Sequence, residues 1–173
     1  MISSVSVSLK KALVLLASAI IAVTITVVAL IFLRVFRVPL YQINLFGISY
    51  SPVHWMSWIG ALYIAFITPA LPIVKYKYPQ HIPRMQNIHV IGNLVAVLLV
   101  SIHFAHQVTR SAINYPALGT GIALYATMIL LVATGYALIS GMGKKAFKQI
   151  HFLHPAFALT FYLVIIIHII HGI

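Results

Sequence analysis

The sequence contains no aspartate, no glutamate and no cysteine. Without side-chain carboxylates there can be no paired-carboxylate glycoside hydrolysis, no acid-oriented Ser-His triad, no Glu-x-x-His di-iron bundle and no EF-hand. Without cysteine there is no thiolate metal site, no iron–sulfur ligation and no disulfide. Charge of either sign is scarce: 6% of the 173 residues are charged, all 11 of them Lys or Arg. Soluble domains carry about 25%, so this is not a soluble domain. No nucleotide loop, zinc-protease motif or dinucleotide fingerprint occurs either. What the chain does have is 62% hydrophobic residues and nine histidines.

A hydrocarbon core about 30 Å thick is crossed by roughly 20 apolar residues of helix. Five stretches qualify: 11–33, 53–74, 87–109, 118–141 and 151–172. The first follows Lys10 and Lys11 and contains Ala17-Ser18-Ala19, but its apolar run continues to Leu33. That is longer than a signal-peptide core of about 7–15 residues, so it reads as a retained helix. The connecting segments are short and carry turn residues: Pro39 to Pro52 with Asn44 and Gly47, Lys75 to Arg84 with Pro79 and Pro83, Arg110 to Pro116, and Gly141 to Lys148. Pro69 and Pro72 are expected to kink or stop the second helix near its end. The expected fold is all-α: a polytopic membrane protein forming one domain over 1–173, a five-helix transmembrane bundle.

Lys10, Lys11, Lys75, Lys77, Arg84, Lys144, Lys145 and Lys148 fall on one side of the membrane, and Arg34, Arg37 and Arg110 on the other, a split of 8 to 3. The positive-inside bias then puts the N-terminus in the cytoplasm and the C-terminus outside, at a cell membrane. The third and fifth helices both run from inside to outside. Tyr41, Tyr50, Trp55, Trp58, Tyr76, Tyr78 and Tyr115 sit at predicted boundaries, as an interfacial aromatic belt should.

Seven of the nine histidines lie in or beside the third and fifth helices. Ionisable groups at membrane depth are costly and are functional candidates for that reason. The third helix carries His89, His103 and His106, and the fifth His154, His168 and His171; both read H-x13-H-x2-H. Fourteen residues separate two imidazoles by about 21 Å along a helix and leave them within about 40° of one face. On parallel helices, His89 comes level with His154 at the cytoplasmic side and His103 with His168 at the outer side. Pairs of neutral imidazoles, with no carboxylate or thiolate available, suit six-coordinate haem iron. His106 and His171 stand about 100° off the first ligand's face and are alternates, as is His151, which could also meet a propionate or a lipid headgroup. His54 and His81 read as interfacial rather than ligating.

These paired H-x13-H helices resemble the b-type di-haem membrane cytochromes, most of all the ferric reductase-like transmembrane domain. Thr134-Gly135 and the HFLHPAFALTFYLVIIIHIIHG segment are also similar to small cytochrome b subunits of respiratory complexes. The resemblance covers most of the chain. It implies two stacked haem b groups between the third and fifth helices, the inner on His89 and His154 and the outer on His103 and His168, carrying electrons across the membrane.

Gly92, one turn beyond His89, and Gly121 and Gly135, fourteen apart in the fourth helix, are read as clearance for flat macrocycles, and Arg84 and Arg110 as partners for propionates. Lys144, Lys145 and Lys148 read as topology signals. With no flavin, nicotinamide or iron–sulfur domain in 1–173, the expected donor is a quinol or a redox partner subunit, which implies a hetero-oligomer. Lipid is the other expected partner, and nucleic acid is not expected. Two further classes compete: a histidine-lined transition-metal transporter and a cofactor-free membrane anchor.

Overall fold

The computed structural model describes residues 3–36, 41–45, 47–110, 115–142 and 144–172. Arg37 and Pro39, and the side chains of Tyr115 and Lys144, lie outside the described residues. Five long helices form: α1 (Ser3–Phe32), α2 (Pro52–Lys77), α3 (Ile82–Val108), α4 (Tyr115–Ser140) and α5 (Phe147–Gly172). The shortest have 26 residues, about 39 Å at 1.5 Å per residue, enough to cross a hydrocarbon core of about 30 Å. All five are apolar enough to do so. The chain is an all-α, multi-pass membrane protein, as its composition leads one to expect.

Local sequence explains where the helices begin and end. Pro52 opens α2 and Pro83 lies in the first turn of α3, positions where the absent N–H and fixed φ suit a helix start. α1 closes with Arg34 in the left-handed region at φ 58°, where the Val35 and Phe36 amides return to the Leu30 carbonyl at 3.0 and 3.1 Å, a left-handed helix cap. Pro69 and Pro72 do not stop α2, which continues helically to Lys77. In a membrane helix the carbonyls freed by proline can find other partners, so the helix need not end there. α5 begins at Phe147, after a single 3-10 turn at Lys144–Ala146, and runs through Pro155. His151 and His154 are therefore held well inside a helix.

A small antiparallel ribbon, β1 (Ile43–Leu45) with β2 (Ile48–Tyr50), precedes α2. Between the strands Gly47 has φ +78°, a conformation that glycine adopts without steric penalty. The Trp55 indole N–H donates to the Ile43 carbonyl at 3.1 Å, which ties the ribbon to the first turn of α2.

Burial is inverted relative to a soluble protein. The buried side chains include Ala17, Val53, Ala96 and Ala105, while Phe66 is 75% exposed, Phe152 73% and Leu15 71%. Large apolar groups facing outward are what a lipid solvent permits, because packing rather than water exclusion drives helix association there, and the buried set mixes alanines with larger groups such as Leu94, Met128 and Phe161. The chain divides into two compact units, residues 18–111 and residues 1–17 with 112–173. Within the first, α2 and α3 form an antiparallel hairpin; within the second, α4 and α5 form another.

Candidate functional site

In the α4–α5 hairpin two histidines meet α4 in the same way. The Thr120 hydroxyl lies 3.1 Å from His168 Nδ1, and the Thr134 hydroxyl lies 2.9 Å from His154 Nδ1. Beside each threonine is a glycine. A Cβ built on Gly121 would stand 3.2 Å from His168 Cε1, and one built on Gly135 would stand 3.2 Å from His154 Cε1. Fourteen residues forward on α4 correspond to fourteen back on α5, so one Thr-Gly/His unit is laid down twice along an antiparallel pair. The face that each glycine leaves open is filled by an imidazole.

Between these two levels lies a buried layer. Leu124, Thr127 and Met128 of α4 and Phe161 of α5 are all buried, Met128 and Phe161 at 2% exposure. His151 and His171, by contrast, are exposed. His151 packs its ring near Phe147, with centroids 5.7 Å apart. His154 and His168 are thus set against α4.

The α2–α3 hairpin positions its histidines by different means. His89 has the Asn93 carboxamide one turn on, Nδ2 lying 3.2 Å from its Nδ1. Gly92 faces Tyr63, whose phenol occupies the volume a side chain would need and donates to the Ile88 carbonyl at 2.8 Å. The space beside Gly92 is thus taken by a tyrosine from α2. His103 meets His54 edge-on, with ring centroids 4.8 Å apart and planes at 74°.

His54 is itself fixed by a string of hydrogen bonds. The Arg110 guanidinium donates to Gln107 Oε1 at 2.8 Å, which turns the Gln107 NH2 toward His54 Nε2, 3.2 Å away. Nε2 must then accept, so the proton sits on Nδ1 and donates to Ser51 Oγ at 2.9 Å. Tyr50 stacks on the same ring, with centroids 5.4 Å apart and planes 16° from parallel. His54, read from sequence as interfacial, is held in a polar cluster with Ser51, Gln107 and Arg110 and touches His103.

The remaining candidates are placed as follows. Arg84 is exposed in the first turn of α3, and Arg110 is exposed just beyond its end. His106 is half-buried in the last turn of α3, where its carbonyl accepts from the Thr109 hydroxyl at 3.1 Å. His81 is exposed in the 3-10 turn Pro79–His81.

The residues that sequence reasoning passed over are Thr120, Asn93, Tyr63 and Gln107. For one of them a signal existed: the dipeptide Thr-Gly occurs at 120–121 and again at 134–135, at the histidine spacing. Among the described residues no group of three metal-ligating side chains comes together. No protein-family model matches this chain, and neither does any curated protein or solved structure.

Proposed function

We propose that the chain is a transmembrane electron-transfer protein that holds two b-type haems, with His89 and His154 as ligands of the inner and His103 and His168 as ligands of the outer. The observation that carries this reading is the doubled Thr-Gly/His unit of α4 and α5. Two imidazoles are held against one helix by identical contacts at the 14-residue interval that the α3 histidines also show. Packing alone gives no reason for one histidine environment to be built twice at that interval. About 21 Å between levels suits two large cofactors better than a chain of closely spaced ion sites.

When bound, the haems supply one-electron chemistry, and the protein's part is to hold, orient and tune them. His154 and His168 present fixed imidazoles, and the two levels are separated by a buried layer that is apolar apart from Thr127, whose hydroxyl is taken up by the Ala123 carbonyl. Arg110 and Arg84 are the basic groups assigned to propionates, in a chain that offers them no acidic side chain to pair with instead. The electrons would come from a quinol or a separate redox subunit. The N-terminus would be cytoplasmic and the C-terminus outside.

A redox difference spectrum with haem quantification on the purified chain tests this. The expected result is two reducible b-type haems per chain, with His89→Ala, His103→Ala, His154→Ala and His168→Ala each losing or altering one of them. No haem, zinc or copper in place of iron, or two unaltered haems in all four variants, would overturn the assignment.

A further inference from the structure

The start of α5 carries a surface patch that the histidine pairs do not use. Lys148 stands three residues before His151 and four before Phe152, and Phe147 stands four before His151; residues at these intervals are neighbours on a helix surface. The Phe147 and His151 rings lie together, with centroids 5.7 Å apart. Lys145, in the 3-10 turn Lys144–Ala146, is three residues before Lys148 and lies beyond the end of the span, which begins at Phe147. All five side chains are exposed, Phe147 at 52% and Phe152 at 73%.

Like charges at neighbouring helix positions repel, and the sequence has no acidic side chain to place between these two lysines. Their counter-charge has to come from outside the chain. In a helix whose span begins at Phe147, Lys145 and Lys148 stand at headgroup depth, where the surrounding anions are lipid phosphates, and the long lysine stem lets its ammonium reach them. Phe152 stands about 6 Å further along the axis than Lys148, on the hydrocarbon side. A soluble acidic partner would meet the lysines and leave Phe152 bare, whereas a phospholipid covers both. A zwitterionic headgroup would bring an ammonium of its own into a patch that is already positive; a headgroup of net negative charge does not.

We infer that the start of α5 is a binding site for one anionic phospholipid, with Lys145 and Lys148 on its phosphate, a His151 ring N–H on a headgroup oxygen, and Phe147 and Phe152 against its glycerol and acyl parts. The site belongs to the surface of one helix end and does not depend on the di-haem reading. α2 provides the contrast: Lys75 and Lys77 are exposed at its end as well, but at two residues' separation they point about 160° apart and share no face.

Native mass spectrometry of the full chain, released from nanodiscs of equal parts phosphatidylglycerol and phosphatidylcholine, reads the lipid that each chain retains. One phosphatidylglycerol is expected to be kept in preference to phosphatidylcholine. Lys145→Gln with Lys148→Gln should lower its retention at least about fivefold, the scale of a cationic contact at a membrane surface, and the same pair changed to arginine should behave as the parent. Lys75→Gln with Lys77→Gln removes as much charge and should leave retention in place, while Phe152→Ser should lower it with no change of charge. Equal retention of the two lipids by the parent would overturn the inference, and so would equal loss in the two glutamine pairs, which would reduce the site to net charge. Displacement of the lipid by millimolar inorganic phosphate would overturn a phospholipid as the occupant. Haem content measured on the same samples separates the two readings: a haem-free chain that keeps its phosphatidylglycerol defeats electron transfer alone, and a two-haem chain without lipid preference defeats the lipid site alone.

Discussion

A threonine that returns its hydroxyl to a carbonyl of its own helix ordinarily weakens that helix slightly, and glycine in a helix interior costs about 1 kcal/mol relative to alanine. α4 contains both side by side, twice. The pairing has a use only at the imidazole it faces, and stability and site geometry should therefore separate on mutation. Gly135→Ala gains up to about 1 kcal/mol of helix propensity, but its Cβ meets His154 Cε1 at 3.2 Å, so the ring must retreat by a few tenths of an ångström. The expected outcome is a melting temperature at or slightly above the parent's by circular dichroism, together with a weakened Thr134–His154 bond seen as a shifted His154 ring nitrogen signal. Gly121→Ala should do the same to His168 alone. Equal disturbance of both histidines by either substitution would mean that the two units are not independent.

At the scale of the helix, the α2–α3 hairpin depends on small residues at its crossing. A Cβ on Gly60 would stand 2.9 Å from the Ala96 carbonyl oxygen and 3.2 Å from Val100 Cγ2, and backbone oxygen cannot move aside as a side chain can. Gly60→Leu is expected to separate the two helices and lower stability by about 1–3 kcal/mol, the usual range for overpacking, measured as a lower midpoint in a detergent-solubilised thermal melt. It should also disturb the His54–His103 contact about one and two-thirds turns away while leaving the His154 and His168 signals of the other hairpin in place. The five spans were legible in the sequence because hydropathy over 20 residues is a strong signal, although α1 starts eight residues before the expected 11 and α3 five before the expected 87. The ends were less so: Phe147 starts α5 earlier than the apolar pattern suggests because the Lys144–Ala146 turn leads straight into it. The ribbon of β1 and β2 was hidden by its length, three residues a strand. In the site, the histidine interval could be read along one helix, whereas the partners of those histidines lie on neighbours. Thr120 and Thr134 acquire meaning only when the register of α4 on α5 is known, and His54 only when that of α2 on α3 is known. Gly92 shows the converse: its place beside His89 suggested clearance for a cofactor, but that clearance holds the Tyr63 phenol.

For the molecule as a whole, the composition that excludes so many chemistries also provides the means of testing its orientation. Eleven positive charges have no acidic side chain to pair with, so they act on lipid headgroups and on the electrical asymmetry of insertion, and eight of them fall on one side of the proposed topology. Positive charge close to a span is retained in the cytoplasm; the segment around Lys75, Lys77 and Arg84 should therefore be inside and the ribbon before α2 outside. Because the chain has no cysteine, a single introduced thiol reports its own location without any background to remove. Gln80 is exposed in the turn between α2 and α3, and Asn44 is exposed on β1. In intact cells a membrane-impermeant maleimide should label Asn44→Cys and spare Gln80→Cys, and permeabilisation should make Gln80→Cys react as well. The opposite pattern would reverse the inner and outer assignment of the two histidine levels, leaving the Thr134–His154 and Thr120–His168 contacts untouched. Replacing Lys75, Lys77 and Arg84 with glutamine while adding lysines beside Asn44 narrows the charge difference on which the assignment rests, and a mixed labelling pattern is the expected result. If labelling stayed wholly one-sided in that variant, orientation would have to be set by something other than these charges.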